Sequence, residues 1–335
     1  MEQFQYRSIR ELNDILHFSM AGSSPALQGE RRRLVLGIGV FDGVHLGHRR
    51  IIEEVVKLAE RDGAVPTALT FDPHPRAVLR PEEPPALLVP LSERVRLLRE
   101  AGAAQVWVIR FTPEFAALEP EDFLSRMLEC PEFELCGICV GENWRFGRGG
   151  RGNRELLDEY ARKRRIDFTA CPELRLNGEV VSSSAIRRSI ASGRLDAAEA
   201  MLGRPYRLVG KVEYGHGAAT SRLDCPTANV SFSTGVLPPD GVYAAAAIRD
   251  GRAYPAAVNV GFAPTFGWKQ AVRRLEVHLL DFSGNLYGSE LGVEFLTHLR
   301  EERSFNSPEE LKHQIGRDIA RIREYFSRRY HQPEE

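Results

Sequence analysis

Cysteine is scarce in this chain: five in 335 residues, an odd number. That excludes the disulfide framework on which small secreted folds depend. Cys136-Gly-Ile-Cys139 does have metal-type spacing. It lies in an apolar run from Phe133 to Val140, where residues three apart on a strand face opposite sides, so the thiols read as buried. Long apolar runs are lacking too. The opening MEQFQYRSIRELNDIL carries charge throughout, unlike a secretory signal, and no later segment is apolar enough to cross a bilayer. A net charge of −1 gives no overall attraction to nucleic acid or anionic lipid. The short basic runs Arg31–Arg33 and Arg162–Arg165 read as solvated faces. There is no P-loop, because the one Gly-Lys pair, Gly210-Lys211, is followed by valine. These absences lead to the expectation of a cytoplasmic protein with no nucleic-acid or membrane partner. Its oligomeric state stays open.

What is present divides in two. The length suggests two domains, and 43% hydrophobic residues suffice for a core in each. In the first part, short apolar runs alternate with helical patterns: Leu34–Val40 then Gly47–Arg61, Val65–Phe71 then Leu91–Ala101, Ala104–Arg110 then Phe123–Leu128, Leu135–Val140 then Glu155–Arg164, and Phe168–Cys171. Buried strands separated by helices predict a Rossmann-like α/β domain with a parallel sheet over residues 1–195. Over 196–335 the spacing changes. Tyr206–Val212, Ala228–Phe232, Val242–Ile248, Ala256–Val260, Leu275–Leu280 and Leu291–Phe295 are short strands between Gly/Pro turns, which predicts an antiparallel β-barrel. A last helix follows, opened by Ser307-Pro308-Glu309-Glu310 as N-cap, first-turn proline and capping-box glutamate. Its apolar face of Leu311, Ile315, Ile319, Ile322 and Phe326 reads as structural, without a chemical role.

The most informative stretch is Gly39-Val-Phe-Asp-Gly-Val-His-Leu-Gly-His48, where the first strand gives way to its helix. Glycines let backbone approach a ligand closely, and a helix beginning near Gly47 or His48 aims unpaired N–H groups and partial positive charge at the same spot. Phosphate suits that geometry. His45 and His48 add two donors. Isolated, such a pair would more often cap or flank the helix, and a metal pair would want a third ligand. Three further stretches carry polar groups at element ends: Thr70-Phe71-Asp72-Pro73-His74-Pro75, Gly141-Glu142-Asn143-Trp144-Arg145-Phe146-Gly147, and Ser182-Ser183-Ser184-Ala185-Ile186-Arg187. Ser183 and Ser184 at a helix start, with Arg187 one turn in, make a phosphate clamp or a plain N-cap. Gly147–Gly152 satisfies GxGxxG but lacks the acid a dinucleotide fold places at the end of the next strand, so it reads as a mobile Arg-bearing loop.

In the second part, Pro226-Thr227-Ala228-Asn229 offers a hydroxyl and an amide carbonyl, oxygens suited to Mg²⁺ and its phosphates, or else simple punctuation before a strand. Glu276 and His278 share one face of the strand Leu275–Leu280.

The first motif resembles the nucleotide-binding signature of nucleotidyltransferases. Taken in order with the later stretches, and with Leu237–Tyr243, Asn259–Thr265, Leu275–Phe282 and Leu286–Gly288, the chain resembles the prokaryotic bifunctional riboflavin kinase/FAD synthetase family from about residue 34 to 328. The resemblance implies an α/β nucleotidyltransferase domain followed by a six-stranded barrel with a C-terminal helix. It implies phosphorylation of riboflavin to FMN, then adenylylation of FMN to FAD, with ATP as co-substrate and Mg²⁺ as cofactor. Gly39, Phe41, Asp42, Gly43, Gly47, Ser183 and Ser184 would hold nucleotide, with His45, His48 and Arg187 stabilising the phosphates during transfer. Phe71, Pro73, His74, Asn143, Arg145 and Phe146 would hold flavin. In the barrel, Thr227 and Asn229 would hold Mg²⁺–nucleotide and Glu276 would be the general base, while His278 has no catalytic role. Ala219–Cys225 departs from the family's Gly/Arg-rich stretch. That leaves open an FMN adenylyltransferase with a binding-only barrel; a non-catalytic flavin- or nucleotide-responsive protein is a separate alternative of another class.

Overall fold

A computed structural model describes residues 6–7, 18–21, 32–128, 133–213, 227–263 and 272–330. Arg31, Ala219–Cys225, Pro226 and 264–265 lie outside them. The chain divides into two units, Met1–Pro85 with Leu91–Ser183, and Ala86–Pro90 with Ser184–Glu335.

The first unit is built on a sheet of β1 (Tyr6–Arg7), β2 (Phe18–Ala21), β3 (Arg32–Ile38), β4 (Val65–Asp72), β5 (Gln105–Arg110), β6 (Phe133–Gly141) and β7 (Asp167–Cys171), in the order β1-β2-β5-β4-β3-β6-β7. The five strands from β5 to β7 are parallel, with Leu34 opposite Val65 on one side of β3 and opposite Leu135 on the other. The expected parallel sheet is therefore present. It gains two antiparallel edge strands, β2 against β5 and β1 against β2. At four and two residues they are too short for a periodic pattern to reveal them.

Residues Leu34–Ile38 are all buried, as a central strand covered on both faces requires. Helix α1 (Leu46–Asp62) covers one face with Ile51, Ile52, Val55 and Ala59. It lies so near that a Cβ on Gly37 would come 2.9 Å from a Val55 methyl. Helices α2 (Pro75–Leu79), α3 (Leu91–Glu100), α4 (Pro113–Ala116), α5 (Pro120–Leu128) and α6 (Arg154–Arg164) complete the layers. Exposed Arg162 and Lys163 on α6 pair with Asp158 and Glu159, as a solvated basic face should. Cys139 and Cys171 are buried free thiols, pushed up to about 12 and about 11 mainly by burial, and Cys136 is half-buried. The sheet order reverses at β3: the chain runs from β3 through β4 to β5 on one side and then crosses to β6 and β7 on the other. The carboxyl end of β3 is thus the crevice where ligands of such sheets bind.

After the short pair β8 (Arg175–Leu176) and β9 (Glu179–Val180) comes α7 (Ser183–Ala191), which belongs to the second unit from Ser184 onward, and then α8 (Leu195–Leu202). Strands β10 (Tyr206–Glu213), β11 (Ala228–Ser231), β12 (Gly241–Arg249), β13 (Arg252–Ala263), β14 (Val272–Leu279) and β15 (Glu290–Arg300) close as β10-β11-β14-β13-β12-β15. All pairs are antiparallel, and because β15 pairs back onto β10 no edge is left open. Ala228, Val230, Leu275, Val277 and Val258 are buried inward-facing positions, and the alternate positions Asn229, Glu276, His278 and Asn259 are half-buried on the outer face. Helix α9 (Pro308–Tyr330) packs against β12 and β13 through fully buried Ile322. Its start is a variant of the expected box. The Glu310 N–H donates to Ser307 Oγ at 3.1 Å, while the Glu310 carboxylate accepts from Asn306 N–H instead of the cap residue.

Candidate functional site

In the first unit, the segment from Gly39 to His48 turns sharply at the mouth of β3. Phe41 (φ 53°) and Val44 (φ 39°) are non-glycine residues in the left-handed region, and both are fully buried. Such backbone costs on the order of 1–3 kcal/mol per residue and persists where surrounding structure enforces it, often at functional sites. Gly43 takes φ 83° without that cost. A side chain on Gly39 would meet the Phe41 ring at 3.0 Å, and one on Gly47 would meet His45 Nδ1 at 3.2 Å. Helix α1 begins at Leu46, a residue or two before its expected start, with His45 as N-cap: His45 Nδ1 accepts from His48 N–H at 3.3 Å. The capping and phosphate readings of this histidine are compatible. A ring that accepts at Nδ1 carries its proton on Nε2, which is left as a donor.

The His45 and His48 rings stack at 3.5 Å, and Phe41 sets its edge against His48. The His48 pKa is held well below the ordinary value, first by burial and then by electrostatic interaction with His45 and Arg94. Without ligand His48 is therefore neutral. Arg94 is fully buried, and its Nη1 donates to Phe71 O at 2.8 Å, to Thr70 Oγ1 at 3.2 Å and to Val40 O at 3.3 Å. Buried Asp42 is one of two carboxylates that favour its charge, and Asp72, 3.8 Å from Nη2, is the other. Ser183 Oγ donates to Asp42 O at 2.8 Å, so the start of α7 is tied to the motif. Ser184 and Arg187 belong to the second unit, where Arg187 Nε donates to Ala86 O at 2.6 Å.

The predicted flavin residues fall into two groups. Phe71 and Phe146 are buried in the core cluster, and Phe146 stacks on half-buried Trp144 at 4.8 Å. His74 accepts from Arg76 N–H at 3.0 Å as the N-cap of α2, directly after the cis Asp72–Pro73 bond. Exposed Asn143 donates to Glu173 at 2.7 Å, and Arg145 is exposed. The loop Gly147–Gly152 was expected to be mobile, but it is pinned. Phe146 and Gly152 form a bridge, Gly147 (φ 68°) lies on Pro120, and Arg148 and Arg151 pair with Glu119.

In the second unit a cavity of about 560 Å³ opens between the outer face of the barrel and α9. Thr227, Asn259, Glu276 and His278 supply its polar floor. Asn229 stands opposite Glu276 on the neighbouring strand but does not line the cavity. Leu311, Ile315 and Ile319 of α9 form an apolar wall. The segment after β15 makes another side. Glu302 accepts from Asn259 at 2.8 Å above Gly261, where any Cβ would overlap its carboxylate. Arg300 donates to buried Asp318 at 2.9 Å, and Gln314 donates to the same carboxylate at 2.7 Å. Sequence reading missed this frame.

The two units match two families in order. The FAD synthetase family matches residues 27–185 and the riboflavin kinase family residues 202–326. A bifunctional riboflavin kinase/FMN adenylyltransferase of Bacillus subtilis is 32% identical over 90% of this chain and 95% of its own. The chain belongs to the bifunctional riboflavin kinase/FMN adenylyltransferase family. The protein of that name from Escherichia coli K12 is 35% identical over 89% of this chain and 95% of its own. A crystal structure of a macrolide-efflux protein from Streptococcus pneumoniae superposes with a TM-score of 0.79 at 27% identity, covering 88% of this chain and 95% of that one. That name denotes transport, whereas no helix among the described residues is long and apolar enough to cross a membrane. The likeness is one of fold.

Proposed function

We propose that this chain makes FAD in two steps, with residues 196–335 phosphorylating riboflavin to FMN and residues 1–195 adenylylating FMN with a second ATP. The observation that carries this reading is the ordered match of both halves to relatives named for both activities, over about nine-tenths of the chain. In the first reaction Glu276 takes the proton of the ribityl 5′-hydroxyl, whose oxygen attacks the γ-phosphorus of ATP and releases ADP. The cavity suits an amphipathic ligand, with an apolar wall for a ring system and polar groups for its chain. The Thr227 hydroxyl and Asn229 carbonyl, beside the Glu276 carboxylate, are hard oxygen donors that fit Mg²⁺. Among the described residues no group of three or more His, Cys, Asp or Glu could hold a metal, in keeping with an ion held partly by substrate phosphates. Bound there, Mg²⁺ would neutralise polyphosphate charge.

In the second reaction an FMN phosphate oxygen attacks the α-phosphorus of ATP and pyrophosphate leaves, so no protein nucleophile is needed. His45, His48 and Arg187 stabilise the charge that develops. Gly39, Phe41, Asp42, Gly43, Gly47, Ser183 and Ser184 shape the nucleotide site, and Phe71, Pro73, His74, Asn143, Arg145 and Phe146 the flavin site. The reading extends to a cytoplasmic location. Separate incubations with riboflavin plus Mg-ATP and with FMN plus Mg-ATP, followed by chromatography of the flavins, test it. Phosphorylated flavin from the first and FAD from the second are expected. FAD from added FMN, with riboflavin left untouched, would indicate a binding-only barrel, and no conversion in either would indicate a non-catalytic protein.

A further inference from the structure

We infer that Arg94, on α3, is a positioning residue for adenylyl transfer, fastening the carboxyl ends of β3 and β4 beneath His48. The inference rests on the reading of His45 and His48 as the phosphate site. Its first support is burial. Arg94 is the largest fully buried side chain among the described residues, and an arginine with no solvent access is rare unless its charge has work to do. Its second support is where the donors go. One nitrogen, Nη1, reaches Val40 O, Thr70 Oγ1 and Phe71 O, and Thr70 Oγ1 itself donates to Val40 O at 2.8 Å. Those acceptors sit where the two strands release the GVFDGVHLGH and TFDPHP segments. A third support is what remains: Nε and Nη2 make no hydrogen bond, Nη2 instead lying 3.8 Å from the Asp72 carboxylate at the end of β4, and His48 Nδ1 is likewise buried without a hydrogen bond.

The charged and titratable groups around His48 are His45 stacked on it and Arg94, with Asp42 and Asp72 offsetting the latter. The Arg94 charge opposes protonation of His48. Withdrawing it should therefore let His48 take up a proton at higher pH, whereas a lysine, which keeps charge but not the fork, should leave that midpoint near its original place.

The test compares Arg94→Lys, Arg94→Met and His48→Ala in the full chain. It measures FAD formation, FMN formation as an internal control, and the His48 midpoint by NMR titration in the two Arg94 variants. Both Arg94 variants should slow FAD formation, by up to about 100-fold if the loops shift by an ångström, with FMN formation unchanged. Only Arg94→Met should move the His48 midpoint, and upward. Should that variant fail to fold, Arg94→Lys carries the test through the rate of FAD formation. Wild-type FAD formation in Arg94→Lys, or an unmoved His48 midpoint in a folded Arg94→Met, overturns the inference. If His48→Ala forms FAD normally, the phosphate-site reading falls first. If it loses FAD formation while both Arg94 variants keep it, only the role of Arg94 falls.

Discussion

His45 caps a helix, and on the proposed reading the same side chain also serves the chemistry. Its Nδ1 caps α1, and the same bond fixes the tautomer that carries the proton on Nε2. The pKa of His48 beside it is held below the ordinary imidazole range, first by burial. If the pair stabilises the departing pyrophosphate, His48→Ala should lower FAD formation by about 10²–10³ and leave FMN formation intact, as chromatographic assays of each half-reaction would report. Glu276→Gln should do the reverse, slowing FMN formation by roughly 10²–10⁴. A titration follows as well. The folded pKa of His48 lies below the ordinary 6.5. On acidification through that value the unfolded chain binds a proton that the folded chain refuses, so stability is full above it and falls as pH drops toward the depressed value. Urea unfolding at about pH 7.5 and about pH 5.5 should show a smaller acid loss for His48→Gln than for wild type; equal losses would contradict the assignment. Glycine-rich spacing made the turn from β3 into α1 legible in sequence. Arg94 left a fainter trace. It occupies the i+3 position of the apolar set Leu91, Arg94, Val95 and Leu98, where a charge on the buried stripe was the available signal.

At the scale of elements, strands and helices with strong periodicity appear close to where sequence places them, because a buried strand or an amphipathic helix writes its environment into every residue. The edge strands β1 and β2 were not legible, since pairing there is decided by the neighbouring edge and not by their own pattern. Helix α9 was legible as a helix but not as a cavity wall. Its apolar stripe is wider than the barrel contact, and the excess, Leu311 and Ile315, faces the cavity. The polar pairs Asn259–Glu302 and Arg300–Asp318 join residues 43 and 18 positions apart, a proximity that no local spacing encodes. The wall also predicts a measurement. Ile322→Ala, at a fully buried anchor, should destabilise the barrel unit by about 2–5 kcal/mol, read as a lower urea midpoint. Loosening of α9 should also raise the apparent KM for riboflavin more than for ATP, and an equal rise in both would speak against α9 as the flavin-facing wall.

For the whole molecule, the proposed reading puts two chemistries on two separately built units, linked by a diffusible product. FMN leaves one site with the phosphate that attacks in the other, so nothing in the chemistry requires both sites to be intact in one chain. The domain order was legible because each half carries its own periodicity and its own motif set. The coupling between halves has no counterpart in sequence pattern. The most direct test mixes purified His48→Ala and Glu276→Gln chains with riboflavin and Mg-ATP, and follows FAD by chromatography. Each variant alone should form little FAD. The mixture should form it readily, as the barrel of one chain supplies FMN to the α/β unit of the other. A mixture no better than either variant alone, or ready FAD formation by one variant unaided, would contradict the assignment of the two reactions to these two sites.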